Sequence, residues 1–196
     1  MHAVQDQAGT ALTSAEPSPS PVPAGRGRLG PRRLLTLLAL ATLVADQGTK
    51  VWALSVLTPG EPVDLVGSAI RLNLIRNPGA AFSLGDGSTW VLTLLSLAIL
   101  VGVLAAARQV RVRSWAVTLG LLLGGAVGNL VDRVVREPGP GRGHVIDFID
   151  YFGWFVGNVA DIAIVGAAGV VMLLAHRGVP LAGHPAATVA EADADG

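Results

Sequence analysis

Long apolar blocks separated by short polar stretches set the layout of this chain. Inside the blocks the hydrophobic residues run on, without the 3.6- or 2.0-residue period of a half-buried element. Residues 34–57, 89–107, 114–133 and 157–176 form four such blocks. At ~1.5 Å per residue each is long enough to cross a hydrocarbon core ~30 Å thick. They predict four transmembrane helices. Residues 58–88 read differently: VDLV, the turn residues Gly67 and Ser68, then AIRLNLIR alternate apolar and polar positions at period two. That predicts a small β-hairpin or sheet. Asn77-Pro78-Gly79 breaks the strand, and Asp86-Gly87-Ser88 reads as a turn and a cap for the second helix. The expected fold class is an all-α membrane protein, four transmembrane helices with a small extracytoplasmic β-hairpin or sheet.

Residues 1–30, rich in Ala, Pro, Ser and Gly, predict a disordered tail, and residues 178–196 a second one. Residues 31–177 make the membrane domain. Arg32-Arg33 ahead of LLTLLALATLVA looks like the start of a signal peptide, but the apolar run continues through WALSVL to Leu57 without a cleavage site. Arginines orient the spans. Arg26, Arg28, Arg32 and Arg33 precede the first, Arg108, Arg111 and Arg113 join the second to the third, and Arg177 follows the fourth. The arginines of the other two connections are diluted by Glu61, Asp64, Asp86, Glu137, Asp147 and Asp150. The positive-inside rule then puts both termini in the cytoplasm and the hairpin outside.

Composition narrows the chemistry. The chain is 51% hydrophobic and 14% charged with zero net charge, so no bulk attraction to nucleic acid is expected. It has no cysteine, which removes disulfides, thiolate metal sites and a cysteine nucleophile. His2, His144, His176 and His184 are scattered without an H-E-x-x-H pair, and no metal or other cofactor is expected. Thirteen arginines accompany a single lysine, Lys50.

What remains is a set of carboxylates and amides near the ends of the spans. Asp46 and Lys50 lie four apart and can pair on one helix face, the usual way to make charges tolerable in a bilayer. Asn129 and Asp132, like Asn158 and Asp161, are three apart, so each pair shares one helix face. Lys50 falls roughly 10 Å from the outer end of the first helix, and Asp132, Asp147 and Asp161 converge on the same side. Two carboxylates held close in apolar surroundings share one proton; the ionised one can activate water while the other donates to a carbonyl or leaving amine. Asp161, an acid inside a span, is the firmest candidate. On spacing alone its partner is Asp132 or Asp147. Asp132 is adjacent to Arg133 and can be ion-paired there; Asp147 lies among Val145, Ile146, Phe148 and Ile149. The plain readings are a structural Asp46–Lys50 pair, a helix-end clamp at Asn129, Asp132 and Arg133, and loop acids at Asp147 and Asp150. Gly120, Gly124, Gly125 and Gly128 read as close helix packing.

DQGTK (46–50), NPGAAF (77–82), GGAVGNLVDR (124–133), VIDF (145–148) and NVAD (158–161) stand in an order that resembles the bacterial lipoprotein signal peptidases, or signal peptidase II, over residues 34–175. The resemblance implies an aspartic endopeptidase of the cell membrane that needs no cofactor. Its substrates would be diacylglyceryl-modified prolipoproteins, cut just before the lipidated cysteine. It implies catalytic aspartates at Asp147 and Asp161, and a site-shaping, substrate-holding surround of Asp46, Lys50, Asn77, Asn129, Asp132, Arg133 and Asn158. Residues 31–177 would then be a four-helix membrane peptidase domain, acting as a monomer among membrane lipids with its site near the outer face of the bacterial inner membrane. Two departures concern the cover of the site: Gly157 stands where the family usually has Phe, with Phe155 two residues earlier, and PGPGRG (138–143) extends the connection ahead of Asp147. Two rival classes make different predictions. A proton-coupled transporter calls for an inverted repeat, and the sequence has no internal symmetry. A structural scaffold would be indifferent to Asp161→Asn.

Overall fold

The computed structural model describes residues 29–79 and 89–183. Most of both expected tails, the Ala80–Phe82 part of NPGAAF and the Asp86–Ser88 cap lie outside those residues. Four helices, α1 (Pro31–Val56), α2 (Thr89–Ala107), α3 (Arg113–Val135) and α4 (Val159–His176), carry four strands, β1 (Val63–Val66), β2 (Ile70–Asn77), β3 (Val145–Tyr151) and β4 (Phe155–Gly157). All four helices are long and apolar enough to cross a membrane, with mean hydropathies between 1.3 and 2.5. The expected boundaries hold within a few residues. α1 starts at Pro31, earlier than its apolar block, because proline at a first helical position already has the helical φ and needs no N–H partner. α4 starts later, at Val159, because Asn158 caps it.

Helix α3 is the centre of the bundle, packed against α1, α2 and α4. Its glycines make that possible. A Cβ on Gly120 would stand 2.8 Å from the Leu35 carbonyl oxygen and 3.0 Å from Leu38 Cβ, and one on Gly124 would run into Ala39 and Thr42. On the other flank, a Cβ on Gly125 would come within 2.7 Å of the Ala160 carbonyl oxygen. The small-residue stripe is therefore the contact surface for α1 and α4. Helix α2 is the opposite case: of its 19 residues only Thr89 and Val103 are buried, as befits a helix apolar on every side.

The strands form one antiparallel sheet in the order β1-β2-β3-β4. This corrects the expected element, because the sheet extends beyond residues 58–88 to include VIDFIDY and FVG. The segment 145–151 is rich in β-branched and aromatic residues and pairs with β2, with Ile75 opposite Asp147 and Asn77 opposite Val145. Asp147 is thus a strand residue and not a loop acid. Ile146 and Phe148 bury themselves with Ala53 and Leu74 beneath the sheet, and Trp52 of α1 meets Phe148 edge-on at 6.3 Å. Strand alternation turns Asp147 to the opposite face. A second apolar cluster, Leu35, Val103, Val110, Ala116 and Leu119, closes the arginine-rich end of the bundle.

Candidate active site

Two groups of carboxylates meet where the sheet joins the helices, and they are held in different ways. The first is built on α1 and α3. Asp46 and Lys50, one turn apart, pair at 2.9 Å, and the Lys50 Nζ also reaches Asp132 Oδ2 at 2.8 Å. The other Asp132 oxygen accepts from Arg136 Nε at 2.6 Å, and the Ile146 N–H donates to Asp132 Oδ2 at 3.2 Å. Asp46 Oδ1 accepts the Ala160 N–H at 3.0 Å, and Gln47 bridges from Asp46 (3.0 Å) to the Gly128 carbonyl (3.0 Å). Two acids and two bases cancel, and Asp46, Lys50 and Asp132 have no exposed surface. Gly128 faces the Asp46 carboxylate so closely that no Cβ fits there.

The second group is Asp147 and Asp161, bonded to amides. Asp147 Oδ1 accepts from Asn158 Nδ2 at 2.6 Å and its Oδ2 from Asn77 Nδ2 at 2.7 Å. Asp161 Oδ1 accepts from Asn129 Nδ2 at 2.9 Å and its Oδ2 from the Asn158 N–H at 3.1 Å. In return the Asp161 N–H donates to Asn158 Oδ1 at 3.0 Å. That reciprocal pair is a capping box, with Asn158 as N-cap and Asp161 at the third helical position. Asn129 joins the two groups: its Oδ1 accepts from Lys50 Nζ at 3.0 Å while its Nδ2 holds Asp161. Burial, reinforced by the charge of Asp161, pushes the Asp147 carboxyl up to about 7 against the pull of Asn77, Asn158 and Lys50.

Both aspartates open onto one cavity of about 300 Å³. Asn77, Asn129, Arg133, Val145 and Phe155 line it beside them, and Leu92, Leu95, Ser96 and Ile99 of α2 form its apolar wall. The cavity therefore joins a carboxylate pair to an apolar helix surface.

A family model described as "Signal peptidase (SPase) II" matches residues 38–177. The chain belongs to the signal peptidase II family. A lipoprotein signal peptidase of Mycobacterium avium (strain 104) is 48% identical over 165 residues, 83% of this chain and 89% of the relative. That of Mycobacterium tuberculosis (strain ATCC 25618 / H37Rv) is 48% identical over 150 residues, 76% of this chain and 74% of the relative. Two solved structures described as "Bacterial membrane enzyme structure by the in meso method" share the fold. The one at 1.9 Å resolution has TM-score 0.62 and 23% identity, covering 72% of this chain and 91% of its own. The other, at 2.3 Å, has TM-score 0.64 and 24% identity, covering 73% and 87%.

The fold brings the expected site positions together, with three corrections. Asp132 pairs with Lys50 and Arg136 and not with Arg133; Arg133 instead lines the cavity and reaches the Gly143 carbonyl at 3.4 Å. Asn158 does not share a helix face with Asp161, since it precedes the helix and caps it. The PGPGRG segment does not roof the cavity. It folds back on the end of α3, where the Gly141 and Gly143 N–H groups donate to the Arg133 carbonyl at 2.8 and 3.0 Å. Thr93 Oγ1 then ties that segment to α2 by donating to the Gly141 carbonyl at 2.8 Å. Asp150 is a structural acid, paired with Arg71 at 2.6 Å and accepting the Gly153 N–H at 2.8 Å. Sequence reasoning missed Arg136, although its i,i+4 spacing from Asp132 was visible. It also missed the α2 wall, for which an evenly apolar helix offers no signal.

Proposed function

We propose that this chain is an intramembrane aspartic endopeptidase that removes signal peptides from diacylglyceryl-modified prolipoproteins, cutting before the lipidated cysteine. One observation carries the reading: two carboxylates share a cavity, and among the described residues the hydrogen bonds to each come from amides. Such a pair keeps one proton between its members and both protonation states within reach. The names of the relatives, lipoprotein signal peptidases, supply the substrate class.

In the proposed reaction one aspartate, ionised, takes a proton from water as the water oxygen attacks the peptide carbonyl carbon. The other, protonated, donates to the carbonyl oxygen. Collapse of the gem-diol breaks the C–N bond: one of its hydroxyls returns a proton to the pair as the departing amine leaves with the other. Asn77, Asn129 and Asn158 fix the carboxylates, while Asp46, Lys50, Asp132 and Arg136 together form a neutral floor beneath them. Arg133, at the cavity wall, is the cation placed to receive carbonyl or ester oxygens of the substrate. The apolar side of the cavity, from α2, suits the acyl chains. One chain supplies both carboxylates, so the enzyme acts as a monomer in the bacterial cell membrane. The arginine distribution supports an orientation with the termini in the cytoplasm and the sheet and cavity mouth at the outer face.

The test is cleavage of a lipid-modified prolipoprotein by the purified protein. Asp147→Asn and Asp161→Asn are each expected to lose on the order of 10²–10⁴-fold in rate while remaining folded. A folded variant of either kind that cuts at the wild-type rate would end the assignment.

A further inference from the structure

The far end of the bundle, roughly 20 Å along α1 from Asp46, holds a second cavity that the proposed reaction leaves unused. It measures about 520 Å³, and Gly30, Pro31, Arg32, Arg33, Val110 and Arg111 line it. It lies between the start of α1 and the connection from α2 to α3. Two contacts tie these segments together. Arg32 Nη2 donates to the Arg108 carbonyl at 2.5 Å, and Arg113 Nη1 donates to the Leu29 carbonyl at 3.1 Å. Arg32 keeps further N–H donors beyond that bond. Arg33 and Arg111 are exposed, and their guanidinium groups have no partner among the described residues. No acid balances them there: residues 29–36, 104–118 and 173–183 hold six arginines and neither Asp nor Glu. The first turn of α1 has no acid and no side-chain cap, so the positive end of its backbone dipole adds to the same sign.

We infer that this cavity binds the phosphate headgroup of an anionic membrane phospholipid, held by Arg32, Arg33 and Arg111. The inference rests on the membrane setting of the function proposed above and not on its chemistry. Guanidinium forks match phosphate oxygens two at a time, and basic pockets between membrane helices suit doubly charged phospholipid heads. Position favours a lipid over a free anion. α1 turns apolar directly after Arg33, and α2 is apolar up to Ala107, so the cavity stands at the level of bilayer phosphates. Leu37 and Leu40 of α1 and Val101 and Leu104 of α2 are exposed deeper along the same helices and offer the acyl chains a surface. A phosphate shared by Arg33 and Arg111 would add a third tie between the start of α1 and the α2–α3 connection.

Native mass spectrometry of the purified full chain, released from micelles, tests this by counting retained lipid. Wild type is expected to keep diphosphatidylglycerol most tightly, phosphatidylglycerol less so, and phosphatidylcholine least. Arg33→Gln should weaken retention about fivefold, and Arg32→Gln, Arg33→Gln and Arg111→Gln combined about 100-fold, with prolipoprotein cleavage in detergent preserved. Arg177→Gln, which removes a cation from the same end but outside the cavity, should leave retention unchanged. Equal weakening by Arg177→Gln and Arg33→Gln would mean diffuse surface charge and overturn the site. Phosphatidylcholine held as tightly as the anionic lipids, or displacement of lipid by an equal concentration of inorganic phosphate, overturns the assignment to an anionic lipid. Lipid retained only after Glu191→Gln, Asp193→Asn and Asp195→Asn would make the chain's own acidic tail the occupant, and that also overturns it. A wild type that keeps the lipid but cuts no prolipoprotein overturns the proposed reaction and leaves this inference standing.

Discussion

The two carboxylate groups of this protein lie side by side, joined through Asn129, and are held by opposite means. Asp46 and Asp132 are bonded to Lys50 and Arg136 and shut away from solvent. Asp147 and Asp161 are bonded to the amides of Asn77, Asn129 and Asn158 and to one another's neighbourhood through a shared cavity. An acid paired with a cation has its charge matched by a neighbour. An acid held by a neutral amide is oriented just as firmly, but its proton remains negotiable, and for Asp147 the balance lies at about 7. The difference separates an acid used as structure from one available for chemistry.

That contrast can be broken most severely at Lys50. Lys50→Met leaves two buried carboxylates without their shared cation, and a loss of about 3–5 kcal/mol in stability is expected. Thermal unfolding in detergent reads it, and a melting temperature equal to wild type would refute the structural role of the cluster. Next comes Asn158→Ala, which removes the cap of α4 and one amide from Asp147 together. The cap alone is worth about 0.5–2 kcal/mol, and cleavage should fall further than this stability loss explains. Equal losses in Asn158→Ala and in an ordinary cap deletion elsewhere would argue that Asn158 only caps.

The pH dependence sharpens the comparison without unfolding anything. The Asp147 carboxyl is raised from an ordinary 3.8 to about 7, so between those values the folded chain holds a proton that the unfolded chain has released. Its contribution to stability is present in full below the ordinary carboxylate range and is lost as pH rises through about 7. The same deprotonation ends the shared-proton state, so cleavage should show an alkaline limb near pH 7. Asn77→Ala removes a hydrogen bond that favours the ionised form, and the limb should move to higher pH. A limb that stays put, or moves down, contradicts the assignment. The smallest effect on cleavage is expected at Asp150→Asn. This buried acid pairs with Arg71 away from the cavity, so a loss of about 1–3 kcal/mol of stability and no change in the pH profile is expected. A shifted profile there would mean that Asp150 belongs to the reacting group.

Much of this was legible from local spacing. The Asp46–Lys50 pair, the glycines that admit α1 and α4, and the helix lengths all follow from residues a few positions apart. The choice between Asp132 and Asp147 as partner of Asp161 did not follow from spacing. The proposed choice of Asp147 rests on Lys50, far from both along the chain, which engages Asp132 while Asp147 is bonded to amides. The strand that carries Asp147 gives no such signal, because VIDFIDY sets two apolar residues before each acid and does not alternate at period two. The α2 wall of the cavity left no trace, since a helix that is apolar on every side shows equally well against lipid or substrate.

Asp161 closes a capping box, a task that a glutamate or glutamine usually performs with a longer reach. The Oδ2 that accepts the Asn158 N–H belongs to the same carboxylate that faces the cavity. Turning that side chain, or putting a proton on Oδ2, loosens the first turn of α4, and re-forming the turn restores the carboxylate to its starting pose. The pose of the reacting carboxylate and the first turn of the last helix are thus held by one and the same contact, so neither can be altered without the other.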